Sequence, residues 1–182
     1  LTPEAPPHDI KAGLLANAGI VGAAGAFLRR HPPDFVVLDP VMVATSGDRL
    51  LDDDAIQAVR ELMPLASLVT PNLAEAAALL DTRPARTLPD MRCQAMALRE
   101  LGAPRVLIKG GRQDDGPEAV DLLLDVDGEV LLRAPRVDAP NTHGTGGPLS
   151  PALAALPPPP DPRPGAPTAT PARATEPHAR TR

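Results

Sequence analysis

The chain has 182 residues, which suits about one domain, and its formal net charge of −5 argues against a nucleic-acid binder. A single Cys excludes a disulfide scaffold, and no apolar stretch is long enough to predict a membrane span. With two Phe and no Tyr or Trp, any core must consist mainly of Leu, Val and Ala. No secretory signal is visible, so we expect a cytoplasmic protein with neither nucleic-acid nor membrane partners.

The first part of the chain predicts two helices around one buried strand. Residues 14–30 have apolar side chains at helical spacing. Residues 35–38 form a short apolar run, and Asp39-Pro40 ends it, as expected of a buried strand. After a loop, residues 52–54 are three acids that suit the positive end of a helix, and this helix is predicted to continue to Met63.

The second part continues the alternation of strands and helices. We predict a strand at 67–70, a helix at 73–80, a helix from Pro89 to Gly102, a strand at 105–108, and a hairpin over 120–133 with a turn at 126–128. This order predicts an α/β fold with a mostly parallel sheet and helices on both faces, to which the hairpin is an antiparallel addition. In such sheets, ligands bind beyond the carboxyl ends of the strands.

The composition changes near the end of the chain. Of the 25 prolines, 11 lie in residues 148–182, and residues 157–182 contain no Val, Ile, Leu, Met or Phe. Such a segment buries too little apolar surface to offset its chain entropy. We therefore expect a domain over 1–156 and a disordered tail rich in Pro, Ala and Arg over 157–182. Two alternatives are that Pro157–Pro160 is a ligand for a proline-recognition module, or that the tail is not native coding sequence.

A glycine-rich segment, Asn141–Gly147, stands beyond the last predicted strand and precedes an Ala/Leu-rich stretch. Its glycines let backbone N–H groups converge on an anion, and a following helix would add its positive N-terminus. The segment therefore predicts an anion hole suited to a phosphoryl group. A plain strand-to-helix turn that happens to use Gly is the alternative.

Three other strand ends also carry polar side chains. Asn72 and Glu75 have the spacing of a reciprocal helix cap, which we favour, although Glu75 could also lie near a Mg²⁺ held with nucleotide phosphates. Lys109 can reach a phosphate or can simply be solvated. Asp39 can cap the chain turn or face a metal. The spacing of Cys93 with Ala97 and Leu101 predicts a packed, inert thiol.

Five segments of the chain form a pattern when they are taken together: Lys11–Asn17, Val37–Asp48, Thr70–Ala76, Ile108–Gly111 and Asn141–Gly146. In order and spacing they resemble one family, hydroxymethylpyrimidine/phosphomethylpyrimidine kinase of the ribokinase-like superfamily. The resemblance implies a ribokinase-like fold, usually in a homodimer. It also implies ATP- and Mg²⁺-dependent phosphorylation of hydroxymethylpyrimidine and then of its monophosphate, in thiamine biosynthesis. Pyridoxal kinase, which shares the superfamily, is the alternative enzyme.

The same resemblance assigns roles to residues of this chain. It implies that Leu14 and Val41 line the pyrimidine pocket, that Asp39 and Glu75 lie near the metal and phosphates, and that Lys109 contacts the nucleotide.

The remaining roles fall on two segments. Asn72 and Thr142 are assigned to the nucleotide side of the site, and Thr142 together with Gly144, Thr145 and Gly146 to the anion hole.

Three departures from the family pattern bear on activity. Gly147 stands where the family has a catalytic Cys, and loss of a general base typically costs about 10²–10⁴-fold in rate. The chain begins just before the strand that contains Lys11, and a Pro-rich tail replaces the last helices of the family. From these departures we expect a kinase truncated at both ends. A catalytically dead remnant, a nucleotide-binding module, or an interaction protein that acts through its tail is the alternative.

Overall fold

The computed structural model describes residues 8–13, 15–42, 51–111 and 118–135. Their elements, in chain order, are β1 (Asp9–Gly13), α1 (Ala18–Arg30), β2 (Phe35–Asp39), α2 (Asp53–Leu62) with a 3₁₀ turn (Met63–Leu65), β3 (Leu68–Val69), α3 (Leu73–Leu80), α4 (Leu88–Glu100), β4 (Val106–Ile108), β5 (Glu118–Leu124) and β6 (Glu129–Pro135). The alternation of strands and helices that the sequence predicts is therefore confirmed.

The six described strands form one sheet in the order β1-β2-β3-β4-β5-β6. The first four strands run parallel, and β5 and β6 pair antiparallel with β4 and with each other. The mostly parallel α/β class and the antiparallel hairpin are as predicted. Because β1 to β4 run parallel to one another, their carboxyl ends lie at the same edge of the sheet.

The hydrophobic core lies mainly between the sheet and one layer of helices. Right-handed crossovers between successive neighbouring strands place every connecting helix on the same face. Consistent with this, side chains of α1, α2, α3 and α4 all belong to one buried cluster with Leu38, Val69 and Ile108 of the sheet. A smaller cluster lies on the opposite face and contains Phe35, Val37, Leu68 and Leu107, all of them buried. Within the described residues, no helix contributes to that second cluster, so the predicted helices on both faces are present there on one face only.

Polar side chains cap the start of each described α-helix. Asn17 accepts from the Ile20 N–H, so α1 begins at Ala18 rather than at residue 14, and Asp52 caps α2 as its acids predict. The predicted cap of Asn72 and Glu75 is present at α3.

A second reciprocal cap, which the sequence reading missed, begins α4. Thr87 accepts from the backbone N–H of Asp90, and the Asp90 carboxylate accepts from the backbone N–H of Thr87. The helix therefore starts at Leu88, before Pro89.

The prediction of a packed thiol at Cys93 is wrong, because this side chain is exposed. Met91, Ala95 and Leu98 form the buried face of α4. Helical spacing fitted both faces of this helix, and small residues such as Ala97 do not discriminate between them.

Several predictions lie outside the described residues: the pocket residue Leu14, the anion-hole segment 141–147, and the tail 157–182. In the described part of the chain, no helix is long and apolar enough to cross a membrane.

Candidate functional site

The carboxyl edge of the parallel strands brings two predicted site residues, Asp39 and Lys109, together with Thr70, which the sequence did not single out. Asp39 is the last residue of β2, Thr70 directly follows β3, and Lys109 directly follows β4. Backbone hydrogen bonds extend the pairing past the strand ends, from Thr70 N–H to Leu38 O at 2.9 Å and from Lys109 N–H to Pro71 O at 2.8 Å. The strand ends are thus held in register, which fixes the positions from which these side chains project.

Asp39 is the centre of a charged cluster at this edge. Its side chain is 3% exposed. Lys109 Nζ lies 2.9 Å from Oδ1, and Lys11 Nζ lies 3.2 Å from Oδ2. Thr70 Oγ1 donates a longer hydrogen bond to Oδ1 at 3.4 Å. A carboxylate buried to this degree needs such partners, because an unpaired charge in a low-dielectric environment is strongly unfavourable.

Lys11 is a member of this cluster that the sequence reading did not single out as a site residue. It lies in β1, two residues before Gly13, and Gly13 is the register partner of Asp39. Residues two apart in a strand project from the same face. A Cβ at Gly13 would lie 3.4 Å from both Cε and Nζ of Lys11, so the lysine passes directly over this glycine to reach Asp39. The spacing of Lys11 and Gly13 is thereby explained.

Glu75 combines a structural role with an unusual environment. Its Oε2 accepts from the Asn72 N–H at 2.7 Å, while Asn72 Oδ1 accepts from the Glu75 N–H at 2.9 Å. The Glu75 side chain is buried. Burial raises the pKa of this carboxyl above its ordinary value, although backbone N–H groups and the charge of Lys109 oppose the rise. The negative charge of Asp39 adds to the rise.

Val41, predicted to line a pyrimidine pocket, lies beside this cluster. It is half-buried, and its N–H donates to the backbone O of Asp39 at 2.8 Å. It therefore stands at the same edge as the charged groups. The role of Val41 in substrate binding stays a prediction, as do the roles of the other site residues.

The chemistry of the cluster suits a metal ion that is bound mainly by something other than protein. Both oxygens of Asp39 already face an ammonium group, and one oxygen of Glu75 accepts the capping N–H. Among the described residues, no group of three or more His, Cys, Asp or Glu side chains could hold a metal. Mg²⁺ commonly keeps several waters and takes its other ligands from phosphates. With their oxygens already engaged by ammonium and N–H groups, the two carboxylates suit contact with such an ion through bridging water.

Comparison of the chain with known proteins identifies its family. The family model described as phosphomethylpyrimidine kinase matches residues 1–159. The chain belongs to the phosphomethylpyrimidine kinase family. A hydroxymethylpyrimidine/phosphomethylpyrimidine kinase from Salmonella typhimurium is 51% identical over 149 residues, which are 81% of this chain and 56% of the relative.

Two solved structures of ribokinase-like kinases resemble the fold. Bacillus subtilis pyridoxal kinase, in an ADP complex, is 36% identical with a TM-score of 0.74, over 81% of this chain and 55% of that one. Phosphomethylpyrimidine kinase from Clostridium difficile is 32% identical with a TM-score of 0.64, over 70% of this chain and 55% of that one. The chain therefore spans about half the length of the relatives that it matches.

Proposed function

We propose that this member of the phosphomethylpyrimidine kinase family binds ATP with Mg²⁺ at the carboxyl edge of its parallel strands. There it transfers the γ-phosphoryl group of ATP to one of two acceptors. The first is the hydroxymethyl oxygen of hydroxymethylpyrimidine, and the second is the phosphate group of hydroxymethylpyrimidine monophosphate. The observation that carries the proposal is the pairing of Lys109 and Lys11 with the buried Asp39 at this edge. Family membership supports the choice of nucleotide and acceptor, because the Salmonella relative carries the name of this activity.

Each charged residue of the cluster has a place in this proposal. Lys109, whose ammonium has three donors on a flexible stem, shifts toward the nucleotide phosphates and neutralises them. Mg²⁺, when bound with the nucleotide, neutralises charge on the transferring group. Glu75 and Asp39 orient waters of that ion rather than bind it directly. Asn72 fixes Glu75 through the reciprocal cap, which makes it a positioning residue.

The remaining roles in the proposal rest on the resemblance. Thr142, Gly144, Thr145 and Gly146 would supply the anion hole that receives the transferring phosphoryl group. Val41 and Leu14 would contact the pyrimidine. A homodimer and a cytoplasmic location also stay predictions.

Gly147 favours a second candidate function, nucleotide binding with little or no turnover. Its position lacks a side chain that could accept a proton from the attacking hydroxyl. A pyridoxal-type acceptor is a further alternative, in keeping with the resemblance of the fold to pyridoxal kinase.

One set of measurements separates these functions. The purified full chain is titrated with a fluorescent ATP analogue in MgCl₂, which is convenient because a chain without Trp or Tyr contributes almost no fluorescence of its own. ADP release is then followed with hydroxymethylpyrimidine phosphate or pyridoxal as acceptor. We expect nucleotide binding and slow, pyrimidine-dependent ADP release that rises about 10²–10⁴-fold in Gly147→Cys. Binding without any acceptor-dependent turnover in either protein would support the binding function, and absence of binding would overturn both.

A further inference from the structure

We propose that Lys11 is a positioning residue: it keeps the buried Asp39 paired, so that Lys109 is free to engage nucleotide phosphate. This inference rests on the proposed function, because it explains how Lys109 can serve two anions. The juxtaposition that carries it is two ammonium groups on opposite oxygens of one carboxylate that is 3% exposed.

The choice of residue type at these two positions is informative. The chain has 18 basic residues, of which only Lys11 and Lys109 are lysines. Both of these lysines contact Asp39, although they are 98 positions apart in the sequence and lie on β1 and directly after β4. Lysine presents a compact charge on a flexible stem, whereas arginine presents a rigid planar fork. A charge that must move between two anions suits the lysine side chain.

The burial of Asp39 gives the second lysine a role. A shift of the Lys109 ammonium toward a phosphate takes one positive charge away from a buried carboxylate, which is costly in a low-dielectric environment. Lys11 approaches Oδ2, the oxygen that Lys109 does not contact in this arrangement, and so holds the carboxylate during such a shift. Lys11 is also the more exposed of the two lysines, with 29% of its side chain accessible against 15% for Lys109.

Affinity for ADP with Mg²⁺ is the first readout. Lys11→Met removes the charge and keeps the length, and we expect ADP affinity to fall on the order of tenfold, within the range of couplings in one ion-pair network. Lys11→Arg restores a charge and should recover most of the affinity. Arg30→Met, which removes a charge from the exposed end of α1, should leave the affinity within about twofold, since exposed charges at a distance are screened.

A double-mutant cycle tests whether Lys11 acts through Asp39. In the Asp39→Asn background there is no carboxylate to hold, so adding Lys11→Met should change ADP affinity by less than about twofold. An equal loss in both backgrounds would show that Lys11 binds the nucleotide directly, and this result would overturn the proposal.

Selective ¹³C-lysine labelling provides a readout that does not depend on nucleotide. With two lysines in the chain, the spectrum contains only two Cε–Hε signals, and Lys11→Met assigns them. We expect the chemical shift of the Lys109 signal to change in Lys11→Met, because the Lys109 ammonium no longer shares Asp39 with a second lysine. An unchanged Lys109 signal would overturn the proposal. If ADP failed to bind even the wild-type chain, the proposed function would fall, while this signal would still decide the role of Lys11.

Discussion

Glu75 shows how one side chain can serve the fold and the site together. Its carboxylate closes the reciprocal cap of α3, and it is buried within the electrostatic reach of Lys109 and Asp39. A cap needs only an acceptor oxygen at this position, whereas ordering the waters of a metal ion needs a negative charge. The two roles are therefore separable by substitution.

We expect Glu75→Gln to keep both halves of the cap, and Glu75→Ala to keep the bond from the backbone N–H of residue 75 to Asn72 Oδ1 but to lose the acceptor for the Asn72 N–H. The alanine variant should lower the free energy of unfolding by about 1 kcal/mol, a typical cost for a lost capping interaction. The glutamine variant should unfold at or above the wild-type denaturant midpoint at neutral pH, because an amide at this buried position has no charged form that burial disfavours. Both variants should weaken binding of ADP with Mg²⁺. Urea titrations followed by far-UV circular dichroism measure the stabilities, and unweakened ADP binding in Glu75→Gln would contradict the metal-side role.

The difference in unfolding free energy between Glu75→Gln and the wild type should depend on pH in one direction. Burial raises the pKa of Glu75 in the folded chain, so the folded state binds a proton more tightly than the unfolded state. The contribution of Glu75 to stability is therefore present below the unfolded-state pKa and is lost as pH rises through the folded-state value. Glu75→Gln cannot titrate, so the stability difference between glutamine variant and wild type should shift in favour of the variant as pH rises over that window.

Sequence reasoning recovered this residue better than it recovered the rest of the cluster. The cap of Asn72 and Glu75 is local, because its two members are three positions apart, so the spacing in the sequence reveals it. The pairing of Asp39 with Lys11 and Lys109 depends on strand order and register, which no local pattern encodes. A usable signal did exist, since the only two lysines both stand in strand-end motifs of the family.

Among the elements, the segment after β4 contains two glycines that do different things. A Cβ at Gly110 would lie 1.9 Å from the backbone O of Val120 in β5, and the Gly110 N–H donates to Asp121 Oδ1 at 2.9 Å. Gly111 has a positive φ of 51°, and among the described residues nothing lies within 4 Å of the place where a Cβ would stand. Gly110 is thus required by close packing, and Gly111 by backbone conformation.

We expect Gly110→Ala to be the more damaging of two matched substitutions. It forces β5 away from the end of β4, which should cost more than the 1–3 kcal/mol that is roughly typical of overpacking. It should also displace Lys109 and weaken nucleotide binding. Gly111→Ala incurs only the left-handed backbone penalty of about 1 kcal/mol. Denaturant unfolding and ADP titration of both variants measure these effects, and equal losses would contradict the assignment of the close contact to Gly110.

A helix or strand could be predicted from the sequence only where its apolar residues follow a clear pattern. The strand 35–38 is apolar throughout and was found, whereas the pattern did not predict β1, whose five residues include Asp9, Lys11 and Gly13. An edge position explains this composition, because β1 pairs only with β2 among the described strands and is buried less than β2. The strand is recognisable from the family motif rather than from periodicity.

At the scale of the whole molecule, the sheet has two buried faces that differ in what covers them. One face packs on α1 to α4, while the opposite face presents Phe35, Val37, Leu68 and Leu107. Val37 has no exposed surface, and Leu107 is 2% exposed. The burial of this second cluster implies that it belongs to the core of the folded chain and is not a solvated surface.

We therefore expect Leu107→Ala to destabilise the chain as much as Leu98→Ala, which truncates a buried leucine on the helical face. Each should lower the free energy of unfolding by about 2–5 kcal/mol, the usual cost of removing a leucine side chain from a packed core. Leu132→Ala in β6, where the leucine is 46% exposed, should change it by no more than about 0.5 kcal/mol. Urea unfolding of the full chain measures all three. A loss at Leu107 as small as that at Leu132 would show that the second face is open to solvent in solution, and that the helical face alone holds the sheet and its charged edge in place.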